Sequence, residues 1–78
     1  MANVIVYSST VCKFCDKLKV FLKENNIQFE ERNVKLNPLY AQELLQKSGG
    51  YAVPVTDIDG TVITGYNLPA LKKVLNLK

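Results

Sequence analysis

The chain opens with an apolar run that predicts a strand and continues with a pattern that predicts a helix. Residues 3–8 are β-branched and almost uniformly apolar, which is typical of a central strand covered on both faces. The hydroxyl residues at 8–10 are candidates to cap the following helix, and Asn25-Asn26 favours its end, because asparagine readily adopts the left-handed C-cap conformation. The apolar stripe of this helix has helical spacing: Phe14, Leu18, Phe21 and Leu22.

The middle of the chain predicts a polar strand followed by a second helix. Residues 27–34 read as a strand, but the charged residues at 30–32 make it too polar for the centre of a sheet, so we expect it at an edge. Asn37-Pro38 predicts a helix start, with asparagine as cap and proline at the first position. Ser48-Gly49-Gly50 predicts the end of this helix. Its predicted buried stripe consists of Tyr40, Ala41, Leu44 and Leu45.

The last third of the chain predicts a hairpin and a final helix. Residues 53–58 and 61–64 are strand-like and are separated by Asp59-Gly60, a strong signal for a tight hairpin. Gly65 then interrupts the chain, and Asn67 predicts a cap. Pro69 is tolerated in the first helical turn, where its missing N–H has no helical partner. The predicted buried stripe is Leu68, Leu71, Val74 and Leu75.

The predicted order of elements, β-α-β-α-β-β-α, indicates an α/β fold with a mixed sheet. A strand-helix-strand unit implies a parallel pair joined by a right-handed crossover, whereas the hairpin adds an antiparallel pair. We therefore expect a four-stranded mixed sheet flanked by three helices. The chain has 78 residues, of which 47% are hydrophobic and 22% charged, so we expect a single domain over residues 1–78.

Charge and composition exclude several classes of function. Ten basic and seven acidic residues are scattered along the chain, which gives a net charge of +3 without the concentrated basic stripe that nucleic-acid binding needs. No apolar run approaches the ~18 residues of a membrane span, and the start of the chain, Met1-Ala2-Asn3, does not resemble a signal peptide, so we expect a cytoplasmic protein. With no histidine and two cysteines, most metal, haem and triad chemistry is excluded.

Cys12-Lys13-Phe14-Cys15 lies where the first strand passes into the first helix. A sulfur at a helix N-terminus faces unpaired backbone N–H groups and the positive end of the helix dipole, which favour thiolate over thiol and lower the cysteine pKa from ~8.5 to between ~3.5 and 7.5. A shift of ~3 units corresponds to ~4 kcal/mol, whereas the dipole supplies ~0.3 to 1 kcal/mol. Direct hydrogen bonds from first-turn amides must therefore supply much of the remainder.

The helical position also separates the roles of the two cysteines. Cys12 begins the helix and is expected to be the exposed nucleophile, whereas Cys15, one turn later, is expected to lie deeper and to act as the resolving thiol. The predicted reaction is thiol–disulfide exchange through a mixed disulfide that Cys15 or an external thiol releases. Three alternatives stay open: buried structural cysteines, a stabilising disulfide and a zinc site, which would need ligands that one chain does not contain.

Several motifs in order along the whole chain resemble a small bacterial glutaredoxin: residues 4–8, Cys12-Lys13-Phe14-Cys15, residues 29–34, Val53-Pro54 and Gly65-Tyr66-Asn67. The resemblance implies a thioredoxin fold with strand order 2-1-3-4 and a cis peptide bond before Pro54.

The resemblance also implies a glutathione site. In this family the backbone at Val53 would pair with the cysteinyl part of glutathione, like a short added strand. Tyr66 and Asn67 match the positions that hold the γ-glutamyl carboxylate, although Asn67 could also be only a helix cap. Phe14 matches the aromatic residue beside the active site, although its spacing to Leu18 also allows a core position.

Two departures from the family pattern bear on that site. Ser9 stands where many glutaredoxins have a lysine, and Tyr66-Asn67 stands where many have Ser-Asp or Thr-Asp. Both changes remove polar or charged groups that would help to bind glutathione.

Three functional hypotheses follow from the resemblance. The first is a monomeric, cytoplasmic enzyme that reduces protein disulfides and glutathione mixed disulfides, with glutathione as co-substrate and no metal or prosthetic group. The second is a redoxin reduced by thioredoxin reductase that donates electrons, for example to ribonucleotide reductase. The third is an iron–sulfur cluster carrier, an activity associated most strongly with sites that have a single cysteine.

Overall fold

The computed structural model describes residues 3–77, so residues 1, 2 and 78 of the predicted domain, and with them the Met1-Ala2 start, lie outside the described part. The observed elements follow the predicted order: β1 (Val4–Ser8), α1 (Lys13–Glu24), β2 (Glu30–Asn33), α2 (Pro38–Ser48), β3 (Val55–Ile58), β4 (Thr61–Thr64) and α3 (Leu68–Val74).

The four strands form one mixed sheet in the order β2-β1-β3-β4, as the sequence predicts. β1 is central and pairs in parallel with β2 and antiparallel with β3, while β3 and β4 form the antiparallel hairpin. β2 lies at the edge, as its polarity indicates, but it is shorter than the predicted 27–34. The reason is that Ile27 donates its N–H to Leu22 O at the end of α1 (2.9 Å), and Ile27 and Phe29 pack against the core before the ladder begins.

Alternation along β1 divides the hydrophobic core between the two faces of the sheet. Val4 and Val6 belong to the larger cluster, which α1 and α3 cover through Leu18, Leu22 and Leu71. Tyr7 points to the opposite face, where it packs with Leu44 of α2 and Val55 of β3. β1 is therefore covered on both sides, which accounts for its nearly continuous apolar sequence.

The predicted helix stripes are partly wrong at their margins. Leu44 is the buried residue of α2, whereas Leu45 is 40% exposed because it lies at the border of the buried arc. Val74 is likewise exposed in the last turn of α3. Phe14, on the predicted stripe of α1, is 56% exposed.

The turn and cap predictions at the end of α1, at both ends of α2 and in the hairpin are confirmed. Asn26 adopts a left-handed conformation (φ 58°) after α1, and Asn37 Oδ1 accepts the Leu39 N–H at 3.0 Å at the start of α2. Gly49 ends α2 with φ 80°, and Asp59-Gly60 has two positive φ angles, 50° and 94°. Two successive positive φ angles are the signature of the tight hairpin turn that Asp-Gly favours. No helix within residues 3–77 is long and apolar enough to cross a bilayer.

A charged network lies on the α2 face of the sheet. Lys47 Nζ of α2 contacts Asp57 Oδ2 of β3 at 2.6 Å and lies 5.0 Å from the centre of the Tyr7 ring. Asp57 Oδ1 also accepts the Gly60 N–H at 2.8 Å, so this nearly buried carboxylate joins a helix to the hairpin turn. The hydrogen bond from Lys47 is the main cause that lowers the pKa of Asp57 below its ordinary value.

We predict that Asp57→Asn lowers the free energy of unfolding at pH 7 by about 2 kcal/mol, because Lys47 loses its charged partner. A carboxylate with a lowered pKa stabilises the fold above its unfolded pKa of ~3.9, and this contribution is lost as the pH falls through the folded pKa. The free energy of unfolding, measured in urea between pH 7 and pH 3, should therefore fall less with decreasing pH in Asp57→Asn than in the wild type. The control is Glu24→Gln at the exposed end of α1. An equal decrease of the free energy of unfolding in Asp57→Asn and in the wild type would contradict the prediction.

Candidate active site

The two cysteines lie at the carboxyl end of β1, where the chain turns into α1. Cys12 is the N-cap of α1, with an extended backbone (φ −155°, ψ 103°), and its Sγ accepts the Cys15 N–H at 3.1 Å. The Cys12 carbonyl accepts the Asp16 N–H at 3.2 Å. The prediction that a hydroxyl at 8–10 caps this helix is therefore wrong: the three residues precede the cap, and Ser8 Oγ instead donates to Glu31 Oε2 at 2.7 Å.

Cys12 and Cys15 are joined by a disulfide bond. Cys12 is half-buried, whereas Cys15 has no exposed surface and shares its helix face with Leu18 and Leu22. The predicted order of exposure is therefore found, and an incoming disulfide can approach the sulfur of Cys12 more readily than that of Cys15.

Cys12 Sγ accepts one backbone amide, which outweighs the helix dipole as an influence on a thiolate at this position. An amide that donates to a charged acceptor contributes about 1.5–3 kcal/mol, more than a helix dipole does. Lys13 is adjacent in sequence but exposed, so solvent and salt screen its charge. The arrangement thus favours negative charge on Cys12 once the disulfide is opened, mainly through a backbone contact.

The Val53-Pro54 peptide bond is cis, as the family resemblance implies. Pro54 is buried and its carbonyl accepts the Gly65 N–H at 2.8 Å, while Val53 remains partly exposed. This hydrogen bond connects the start of β3 to the loop before α3. Two of the predicted ligand-binding segments, Val53-Pro54 and Gly65-Tyr66-Asn67, are therefore held together.

Phe14 lies on the surface rather than in the core. Its ring centre is 6.0 Å from that of Tyr66, and Lys17 Nζ lies 5.3 Å from the Phe14 ring centre. The structure therefore brings together two of the predicted ligand-binding side chains. A groove of about 360 Å³ runs beside them along α1, lined by Asp16, Lys17, Val20, Phe21, Glu24 and Tyr66.

Asn67 is the N-cap of α3, and its Oδ1 accepts the Ala70 N–H at 3.2 Å. The prediction that Asn67 caps this helix is thus confirmed. The side-chain amide nitrogen still carries two N–H donors, so capping does not prevent Asn67 from contacting a ligand carboxylate.

One polar cluster near the cysteines has no signature in the sequence. Glu31 Oε2, which accepts the Ser8 hydroxyl, also accepts a hydrogen bond from Lys19 Nζ at 2.8 Å. Lys19 Nζ in turn lies 3.6 Å from Asp16 Oδ1. Lys19 and Ser8 lower the pKa of Glu31, and Glu31 in turn raises the pKa of Lys19. The cluster connects α1 to the end of β1 and to β2. These contacts depend on the register between the elements, which the sequence pattern does not reveal.

Within residues 3–77, no group of three or more His, Cys, Asp or Glu side chains could hold a metal ion.

Comparison with known proteins gives one consistent result. The family model described as "Glutaredoxin" matches residues 4–63 of the chain. Glutaredoxin 3 of Escherichia coli (strain K12) is 32% identical over 65 residues, which cover 83% of this chain and 78% of that protein. The glutaredoxin-like protein NrdH of Lactococcus lactis is 31% identical over 71 residues, covering 91% and 97%.

Among solved structures, the crystal structure of the thioredoxin-like protein BC3987 superposes with a TM-score of 0.87. It is 33% identical, and the match covers 92% of this chain and 99% of that one. The predicted thioredoxin fold is therefore confirmed.

The capping contact of Cys12 leads to a prediction about stability. Serine is a strong N-cap and alanine is not, and the loss of such a cap costs about 1 kcal/mol. Cys12→Ser and Cys12→Ala both remove the disulfide. The difference between their free energies of unfolding therefore reports the contribution of a capping contact with the Cys15 amide. We expect Cys12→Ser to be more stable by about 1 kcal/mol in urea unfolding under reducing conditions. Equal stability of the two variants would show that the contact does not stabilise α1.

Proposed function

The chain belongs to the glutaredoxin family and is a thiol–disulfide oxidoreductase, and we propose that glutathione is the thiol that reduces its Cys12–Cys15 pair. The observation that carries the proposal is the contrast between the two sulfurs. The accessible one accepts a helix-start amide, and the other is buried directly behind it. We further propose that the 78 residues act as a monomeric single domain in the cytoplasm, where such a pair can be reduced again.

In the proposed reaction Cys12 is the nucleophile. Its thiolate attacks the disulfide of a protein–glutathione mixed disulfide, the protein thiol leaves, and a Cys12–glutathione disulfide remains. A second glutathione thiolate attacks this bond and releases glutathione disulfide and the Cys12 thiolate. With a protein disulfide as substrate, Cys15 attacks the mixed disulfide instead, and two glutathione molecules then reduce the Cys12–Cys15 disulfide.

We propose that glutathione lies across Val53-Pro54 towards the start of α3. The partly exposed Val53 would offer its backbone to the cysteinyl part of the tripeptide, and Tyr66 and Asn67 would face the γ-glutamyl carboxylate. Phe14, which packs on Tyr66, would form the apolar side of this site. The hydrogen bond between Pro54 and Gly65 supports the proposal because it holds these segments together.

A second candidate is a redoxin reduced by thioredoxin reductase that donates electrons to an enzyme such as ribonucleotide reductase. Two observations favour it. Ser9 and Asn67 stand where many glutaredoxins carry charged residues for glutathione, and the chain is similar to the glutaredoxin-like protein NrdH over nearly its whole length. The chemistry at Cys12 and Cys15 is the same in both candidates, and only the source of electrons differs.

We predict that Cys12→Ser abolishes reduction of a glutathionylated protein, whereas Cys15→Ser retains turnover, because glutathione can release the intermediate externally. The measurement is steady-state deglutathionylation with glutathione, glutathione reductase and NADPH. Loss of activity in Cys15→Ser together with an active Cys12→Ser would reverse the two roles.

The same assay distinguishes the electron sources. The wild type should turn over with glutathione and glutathione reductase. When thioredoxin reductase replaces both, the proposal predicts little turnover. Turnover only with thioredoxin reductase, and none with glutathione and glutathione reductase, would reject glutathione as the reductant and favour the second candidate.

A further inference from the structure

Thr56 of β3 is buried without a hydrogen bond. Its side chain has no exposed surface, and Oγ1 is the one buried side-chain oxygen or nitrogen within residues 3–77 that lacks a partner. Buried polar groups are nearly always paired, so an unpaired hydroxyl in a core calls for a reason. Valine has the same shape as threonine without the hydroxyl, so packing alone does not account for threonine here.

The sheet register places this hydroxyl on the face that α1 covers. Thr56 pairs with Val6 of β1 and Ile63 of β4, and directly opposite residues of antiparallel strands share a face. Val6 and Ile63 belong to the cluster that packs against Leu18 and Leu22 of α1. Thr56 is therefore on the side of the sheet that α1 covers, and Cys15 is one of the buried residues of that helix.

The directions of the strands and of α1 place Thr56 and Cys15 at the same end of the layer between α1 and the sheet. Because β1, α1 and β2 form a parallel crossover, α1 runs back along β1 and begins at the end where β1 stops. β3 is antiparallel to β1 and starts at this same end, just after the buried Pro54. Along α1 the buried residues follow the order Cys15, Leu18, Leu22, so Cys15 is the buried residue of α1 nearest the end of the sheet at which β3 starts.

The other buried hydroxyl in this layer already has a partner. Ser8 Oγ donates to Glu31 Oε2 at 2.7 Å, towards the edge strand β2. The Thr56 hydroxyl, on the β3 side, is the free donor. In the disulfide form the Cys15 sulfur is bonded to Cys12 and is a poor acceptor. When the disulfide is reduced, Cys15 becomes a buried thiol, whose sulfur is a weak acceptor, or a buried thiolate, whose charge needs a hydrogen-bond donor.

We propose that the Thr56 hydroxyl donates a hydrogen bond to the Cys15 sulfur when the disulfide is open and has no partner when it is closed. Reduction by a dithiol such as dithiothreitol moves two electrons and two protons: the Cys12–Cys15 bond breaks, two protein thiols form, and the reductant becomes a cyclic disulfide. The contact stabilises the product of this reaction, and the unpaired hydroxyl destabilises the reactant. Thr56 therefore makes the pair easier to reduce and eases loss of the Cys15 proton.

The test is the equilibrium between the protein and defined ratios of reduced and oxidised dithiothreitol. Thr56→Val should shift the equilibrium constant about tenfold towards the disulfide, which corresponds to a reduction potential ~30 mV more negative. Thr56→Ser keeps the hydroxyl and should stay near the wild-type potential. Thr61→Val, an exposed threonine on the same hairpin, is the matched control and should leave the potential unchanged.

Urea unfolding of the oxidised and reduced forms supplies the second readout. Thr56→Val should stabilise the oxidised form more than the reduced form, because only the oxidised form loses an unpaired hydroxyl. An unchanged or raised potential, equal effects on both forms, or a Thr56→Ser variant that behaves like Thr56→Val would overturn the proposal. The inference rests on the Cys12–Cys15 pair of the proposed function, but this equilibrium needs no glutathione and no turnover. A failure of glutathione dependence therefore leaves its result interpretable.

Discussion

The hydrogen bond from the Cys15 amide to the Cys12 sulfur is the contact on which both the start of α1 and the proposed chemistry depend. It makes one residue both the cap that begins α1 and the sulfur that we propose as the nucleophile. A helix start has N–H groups without intrahelical partners, and a sulfur placed there receives one of them without any charged side chain. The local fold of the chain and the proposed reactivity of Cys12 thus have the same physical origin.

The remainder of the fold holds that helix start against the other segments of the site. Burial of both faces holds β1, the strand that leads into α1, in the core, and the hydrogen bond from Lys19 to Glu31 connects α1 to the edge strand. On the other side, the hydrogen bond between Gly65 and Pro54 keeps the cis-proline segment beside the loop before α3. The predicted ligand-binding residues therefore come from separate segments that the sheet topology brings to one end of the molecule.

Element types and order could be predicted from the sequence because local signals agree with the fold. Asp59-Gly60, Asn37-Pro38 and Gly49 each carry backbone preferences that no distant contact overrides. The position of Cys12 at the start of α1 could also be predicted, but the general preference for hydroxyl caps wrongly indicated residues 8–10 as the cap. The shortened β2 depends on Ile27 joining the end of α1. The contacts of Glu31 and the burial of Thr56 follow from strand register, which periodicity does not specify.

Titration of the Cys12 thiol in the reduced Cys15→Ser variant measures the effect of the amide contact on this sulfur. Its thiolate can be followed by ultraviolet absorbance or by the rate of alkylation as a function of pH, with reduced Cys12→Ser as the control for Cys15. We expect the amide contact to lower the pKa of Cys12 below the value of a free cysteine, as at other helix N-termini. A pKa near ~8.5, the value of a free cysteine, would contradict this expectation, because the amide contact would then have no effect on the charge of the sulfur.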